Sequence, residues 1–189
     1  MKECEQTKGQ SVLDHGISVK NWTFDLINHL RNGDRLKNEW ILPDLVYENR
    51  DLILENLPSD KTLKYYTILH DCGKPYCLEI DELGKRHFPN HSEVSYRIFK
   101  NLFVDEVSAR LIKDDMEIHL LKSEDIDKFC QNPYALTLLI VGLSEIHTNS
   151  EMFGGKDSDS FKIKLKRITQ RSKKIIQKIK QNNENKRLY

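Results

Sequence analysis

Apolar residues recur at helical spacing along most of this chain. Between residues 11 and 30 they follow intervals of three to five residues, at Val12, Ile17 (with Val19), Trp22, Leu26 and Leu30. This pattern predicts one long amphipathic helix that ends near Asn32-Gly33-Asp34. Similar patterns predict helices near 49–57 and over 62–69, 91–103, 105–121, 123–130 and 134–148.

The pattern changes between residues 76 and 88. Short runs rich in apolar and basic residues flank the turn-forming segment Asp81-Glu82-Leu83-Gly84, which predicts a small hairpin or ordered loop and is the one strand candidate. The chain contains no internal repeat and no low-complexity linker. We therefore expect an all-α helical bundle with a small hairpin or loop near one end.

Composition places this bundle among soluble globular proteins. The chain has 189 residues, of which 31% are charged, and no apolar run approaches the roughly 20 residues that span a bilayer. The N-terminal segment is not followed by an apolar stretch typical of a secretory signal, so a cytoplasmic protein is expected. Two of the four cysteines, Cys72 and Cys77, are five residues apart, which does not match a zinc or redox motif. Free, reduced thiols are predicted.

Charge divides the chain unevenly. The net charge is +1, but residues 156–189 carry 12 basic and 3 acidic residues, whereas residues 1–155 carry 18 basic and 26 acidic residues. The final segment also has an apolar stripe, at Phe161, Ile163, Leu165, Ile168, Ile175, Ile176 and Ile179. We expect a basic helix that packs on the body and frays through 181–185. It either contacts nucleic-acid phosphates or forms a solvated face that offsets an acidic body.

The candidate chemistry centres on His70-Asp71, which lies within Ile68-Leu69-His70-Asp71-Cys72-Gly73-Lys74-Pro75. Gly and Pro after the doublet predict a break in the helix at this point. An imidazole next to a carboxylate suits metals that activate water. Seven histidines occur in the chain, and a two-metal site would need several of them on separate helices that converge inside one bundle.

These residues, in this order, resemble the HD-domain superfamily of metal-dependent phosphohydrolases over about residues 12–147. That family has a His on its first helix, the His-Asp doublet, two later histidines and a distal Asp. The segment Phe88-Pro89-Asn90-His91-Ser92-Glu93-Val94-Ser95 is most similar to the HD domain of bacterial tRNA nucleotidyltransferases. No part of the chain corresponds to their nucleotidyltransferase half. The expected organisation is an HD domain over 1–155 and a basic helix or tail over 156–189.

The resemblance implies a metal site with two divalent ions, which are Mn, Mg, Ni, Co, Fe or Zn. The implied ligands are His15, His70, Asp71, His91, His119 and Glu145, and Asp71 is the implied bridge between the ions. Glu145 stands where the family has Asp, with His147 as the competing choice, whereas Asp115 falls on the wrong helix. Without a metal, convergence of five of these groups would leave buried polar groups unpaired. They are His15, His70, Asp71, His91 and His119.

Four other residues have structural or functional interpretations. Lys74 is either a surface cation at a helix end or a contact for a substrate phosphate, and its place after the doublet favours the second. Arg97 either assists substrate binding or faces solvent. His29 is interpreted as a packed or surface residue. His87 is either a loop residue near the mouth of the site or a ligand, and its type and position favour the first.

The expected activity is hydrolysis of phosphoesters of nucleotides or RNA ends, similar to a 2′,3′-cyclic phosphodiesterase or phosphatase. In this interpretation Asp71 and Lys74 carry the chemistry, and Lys74 and Arg97 bind substrate. One alternative is a nucleotide or cyclic-nucleotide phosphohydrolase with no polymer substrate. Another is a non-catalytic helical module that binds RNA or protein.

Overall fold

Helices dominate the fold, which confirms the predicted all-α class. The structure is a computed structural model and describes residues 1–7 and 9–187. The main helices are α1 (Val12–Asn32), α2 (Asp44–Glu48), α3 (Arg50–Glu55), α4 (Asp60–Leu69), α5 (His91–Leu102), α6 (Glu106–Asp114), α7 (Glu117–Leu120), α8 (Ile126–Phe129), α9 (Ala135–Thr148) and α10 (Asp159–Arg187). Short 3-10 helices cover Lys74–Tyr76, Ser123–Asp125 and Glu151–Phe153. No helix in the described part of the chain is long and apolar enough to cross a membrane.

Two small antiparallel hairpins accompany the helices. Strands β3 (Glu79–Ile80) and β4 (Arg86–His87) form the predicted hairpin, with Glu79 opposite His87. Strands β1 (Glu5–Thr7) and β2 (Gln10–Ser11) form a second one. The prediction of a single strand segment was therefore wrong. The turn before β2 contains Gly9 at φ 80°, a left-handed conformation that glycine adopts without strain.

The chain forms two compact units, and the division between them falls within α1. The first unit comprises Met1–Asn21 and Pro58–Met116. In it α6 packs against both α4 and α5, and the buried side chains at the centre include Leu63, Tyr66, Phe99, Leu111 and Ile112.

The second unit comprises Trp22–Leu57 and Glu117–Tyr189. In it α9 packs against α7 and α10, and every residue of α9 from Ala135 to His147 is buried. The apolar stripe of α10 contributes Phe161, Ile168, Ile175 and Ile176 to this core. The boundary that the sequence predicts between 1–155 and 156–189 stays a prediction.

Several predicted helices differ in their limits. The predicted helix near 49–57 is α3, which is shorter and covers Arg50–Glu55. Helix α2 precedes it and ends before Asn49, whose side-chain amide donates to the Leu45 carbonyl. Residues 105–121 divide into α6 and α7 around Asp115, and 123–130 divide into a 3-10 turn and α8. Within α1, Ile17 is exposed whereas Val19 is buried.

The basic C-terminal helix is confirmed, with two corrections. Residues 181–185 remain helical and do not fray, because asparagine lowers helix propensity by well under about 1 kcal/mol per residue. Ile163 does not belong to the buried stripe. It is 49% exposed, since a position two residues after Phe161 points about 200° away from it. Leu188 and Tyr189 of the predicted segment lie outside the described residues.

Candidate metal centre

The His70-Asp71 doublet lies at the predicted break in the chain. Ser59 caps α4 by accepting a hydrogen bond from the Thr62 amide at 3.2 Å, and the helix ends at Leu69. The doublet then forms a turn that leads into the 3-10 helix Lys74–Tyr76, with Pro75 near its start. This confirms the break, which follows directly after His70, the residue that caps the C-terminal end of α4.

Two glycines let neighbouring helices approach the doublet closely. A Cβ atom at Gly16 of α1 would lie 2.2 Å from the Ile68 carbonyl oxygen, and one at Gly73 would lie 2.5 Å from the Ser95 nitrogen. Side chains larger than hydrogen are excluded at both positions. The first approach places His15 beside His70, with ring centroids 5.3 Å apart.

Asp71 is almost fully buried and lies among three imidazoles and an ammonium group. Its Oδ2 atom is 3.7 Å from Nε2 of His15, 3.2 Å from Nε2 of His70 and 2.6 Å from Nζ of Lys74. Its Oδ1 atom is 3.5 Å from Nε2 of His91. The two carboxylate oxygens therefore face different imidazoles, an arrangement that a bridging carboxylate requires.

Backbone carbonyls orient two of the three imidazoles. The Nδ1 atom of His70 is 3.0 Å from the Thr67 carbonyl, and that of His91 is 2.9 Å from the Phe88 carbonyl. In the neutral tautomer that donates these bonds, Nδ1 carries the proton and the Nε2 lone pair points toward Asp71. Metal-ligating histidines typically donate the proton of their other ring nitrogen in this way, to a backbone carbonyl or a carboxylate.

The electrostatics of the group favour an anionic carboxylate and a neutral His91. Burial acts to raise the pKa of Asp71, but the neighbouring His70 and Lys74 outweigh it and hold that pKa well below its ordinary value. Burial lowers the pKa of His91, which favours its neutral form. A lone pair and a carboxylate oxygen that face each other at this distance fit a cation between them.

Cys72 is poorly suited to act as a nucleophile. Burial raises the pKa of its thiol to about 11, whereas a reactive thiolate needs a lowered pKa. Its Sγ lies 3.6 Å from the Ser95 carbonyl. All four cysteines are free.

Lys74 lies against Asp71 within the group. Its ammonium is largely buried and donates to Asp71 Oδ2 at 2.6 Å and to Gln6 Oε1 at 2.9 Å. Gln6 belongs to the hairpin that the sequence did not predict. A phosphate contact for Lys74 stays a prediction, and the contact that the structure contains is with the carboxylate.

In the second unit, His119 and Glu145 lie together. The Nε2 atom of His119 is 3.2 Å from Oε2 of Glu145. The sequence predicted His119 near the end of a longer helix over 105–121. In the structure it lies on the short α7. Arg171 of α10 holds this short helix in place by donating to the carbonyls of Ile118 and His119, both at 3.0 Å.

His147, the alternative to Glu145 as a ligand, is engaged in packing. Its Nδ1 donates to the Leu143 carbonyl at 2.8 Å, and its Nε2 accepts from the Ile41 amide at 3.1 Å. The ring also packs against Trp22 and Trp40, with centroids 5.5 and 4.6 Å away. Both ring nitrogens are occupied, so a metal would have to displace one of these bonds.

The remaining candidates have local partners. Arg97 is exposed and pairs with Glu93 at 2.9 Å. His87 is 2.7 Å from Asp81 across the β3–β4 hairpin, and the hydrogen bond from His87 lowers the pKa of Asp81. The side chain of His29 contacts the Asp34 carbonyl. Asp115 is buried and accepts a 2.6 Å hydrogen bond from the Tyr66 hydroxyl.

Among the predicted site residues, His15, His70, Asp71, Lys74 and His91 lie together within the first unit, and His119 lies against Glu145 within the second. In comparisons with known proteins, no family model, curated protein or solved structure matches the chain. The HD-domain resemblance and the membership of His119 and Glu145 in a six-ligand metal site stay predictions.

Proposed function

We propose that this protein is a metal-dependent phosphohydrolase of the HD type that acts on phosphoesters of nucleotides or RNA ends. The observation that carries the proposal is the arrangement around Asp71, a buried carboxylate whose two oxygens face three imidazole Nε2 atoms at 3.2–3.7 Å. The class of substrate comes from the sequence resemblance alone.

The donor set fits a divalent cation. Imidazole nitrogen and carboxylate oxygen are ligands for zinc, manganese, nickel, cobalt and iron, and backbone carbonyls fix the ring orientation of His70 and His91. We propose His15, His70, Asp71 and His91 as the metal ligands of the first unit. A divalent metal bound there supplies Lewis acidity, which lowers the pKa of a coordinated water and offsets charge on a phosphoryl group.

The residues of the chain have separate tasks in this mechanism. The three imidazoles and the carboxylate would bind and orient the metal, and burial keeps bulk water away from them. Lys74 places a positive charge 2.6 Å from the carboxylate, which offsets its charge when no other cation is present. A substrate phosphate would offer the same ammonium group a second anionic partner.

Hydrolysis of a defined panel of substrates tests the proposed function. The full chain is assayed with 2′,3′-cyclic nucleotides, nucleoside monophosphates and phosphate-ended RNA, each with Mn²⁺, Mg²⁺, Ni²⁺ or Co²⁺. We expect metal-dependent release of phosphate or opening of the cyclic ester, and loss of turnover by at least 100-fold in Asp71→Asn.

The matched control is Asp115→Asn. Asp115 is equally buried in the same unit, and an asparagine there can still accept the Tyr66 hydroxyl. Turnover that survives Asp71→Asn would contradict the proposal. Turnover of mononucleotides alone would favour the phosphohydrolase that ignores polymers, and a folded protein with neither bound metal nor turnover would favour the non-catalytic module.

A further inference from the structure

The long helix α10 carries positive charge on two separate rows. Between Ser160 and Asn183 it contains nine lysines and arginines and no acidic residue. Because each residue turns the helix by about 100°, four of the lysines align within about 40° of one another. We call them the lysine row: Lys162, Lys166, Lys173 and Lys180.

The second row lies on the opposite side of the helix, and four of its basic residues make contacts within their own unit. Arg171 donates to two carbonyls at the end of α7, and Lys178 pairs with Asp127 at 3.0 Å. Lys174 donates to the Ser123 hydroxyl at 3.2 Å. The ammonium of Lys164 lies 4.6 Å from the centre of the Phe153 ring. These cations have structural partners that account for them.

The lysine row differs in that it faces solvent. All four side chains are exposed, and none forms a side-chain hydrogen bond or ion pair with the residues that the structure describes. Like charges aligned on one helix repel each other. Such a row gains most from a partner that carries regularly spaced negative charge.

The exposed face next to the lysine row is polar apart from Ile163, which is 49% exposed. This composition favours a nucleic acid over a membrane. A helix that binds in a lipid interface needs an exposed apolar face, but the apolar stripe of α10 is buried in its own unit. Between the two basic rows lie the exposed glutamines Gln170, Gln177 and Gln181. Their amides can hydrogen-bond to phosphates, sugars or bases.

We infer that the lysine row binds the phosphodiester backbone of a nucleic acid. The row extends over about 27 Å along the helix, which suits several consecutive phosphates of one strand. The contact is electrostatic and independent of sequence. The inference does not rest on the proposed phosphohydrolase activity, because none of its residues belongs to the group around Asp71.

The test replaces the four lysines with glutamine in the full chain. Glutamine has nearly the same helix propensity as lysine, so circular dichroism should show an unchanged fold. A matched control replaces Arg35, Lys37, Lys122 and Lys128 with glutamine. These residues are also exposed and belong to the same unit, and both variants change the net charge from +1 to −3.

Binding of a fluorescent 20-nucleotide single-stranded RNA is measured by anisotropy over a range of salt concentrations, with DNA of the same sequence in parallel. Each phosphate contact contributes about −0.7 to the slope of log K against log salt. Loss of the lysine row should therefore flatten the slope by about 2.8 and weaken binding at low salt at least tenfold. The affinity of the control variant should remain within about twofold of that of the original protein.

Three results would overturn the inference. The first is no binding of RNA or DNA by the original protein at low salt. The second is an equal loss in both variants, which would show that net charge alone acts. The third is binding to vesicles rich in phosphatidylserine that depends on the lysine row, with nucleic-acid binding unaffected by the substitution.

Discussion

Replacing Gly16 with alanine should separate α1 from α4 and destabilise the protein. The added Cβ would lie 2.2 Å from the Ile68 carbonyl oxygen, whereas ordinary contacts begin near 3.4 Å. The obstacle is backbone, which cannot rotate away, so the two helices must move apart by about 1 Å. Overpacking of this kind costs about 1–3 kcal/mol, and alanine recovers up to about 1 kcal/mol of helix propensity. We expect a net loss of about 1–2 kcal/mol.

Gly142→Ala is the matched control for this substitution. Gly142 is also helical, but its Cβ would meet only the ends of the Ile118 and Ile168 side chains, at 3.0 and 3.4 Å. These side chains can shift by a few tenths of an ångström, so stability should stay within about 1 kcal/mol of the original protein. Urea unfolding followed by circular dichroism measures both variants. A Gly16→Ala protein as stable as the original would refute the close-packing explanation of how His15 reaches His70.

Three further substitutions test other contacts by urea unfolding. Asp25→Asn should cost about 1–3 kcal/mol at neutral pH. Burial acts to raise the pKa of Asp25, but four hydrogen bonds lower it overall. The carboxylate therefore stabilises the folded protein above about pH 4, and this stabilisation should vanish as the pH falls through the folded-state pKa. Tyr66→Phe should cost about 1–3 kcal/mol, because it removes the hydroxyl that donates to buried Asp115; an unchanged stability would contradict this. Burial lowers the pKa of His147, so stability should fall as the pH drops below about 6.5, and His147→Gln should flatten that dependence.

The sequence predicted the helices that bury a continuous apolar stripe. The limits of α1, α5 and α9 follow the predicted positions within two residues, because their stripes are long and their ends carry recognisable breaks. Predictions failed where a single side chain interrupts the helix. The predicted helix over 105–121 divides at Asp115, whose carboxylate accepts a hydrogen bond from Tyr66 that no local pattern indicates.

Part of the candidate site could also be predicted from the sequence. Residue types and order indicated His15, His70, Asp71 and His91, and the structure brings them together. The sequence did not indicate Gln6 as a partner of Lys74, because that contact depends on a hairpin with only five strand residues. The glycines that follow His15 and Cys72 were a signal for close helix packing. Their importance depends on neighbours that are distant in sequence.

One measurement tests most directly whether Asp71 and its imidazoles form a metal centre. The full chain is treated with a chelator and then titrated with Mn²⁺ in a calorimeter. We expect the original protein and Asp115→Asn to bind the ion with similar affinity. Asp71→Asn should bind at least tenfold more weakly while it stays folded, because an amide is a much poorer ligand than a carboxylate. A folded original protein that binds no divalent ion, or an Asp71→Asn variant that binds as tightly as the original, would contradict a metal centre at Asp71.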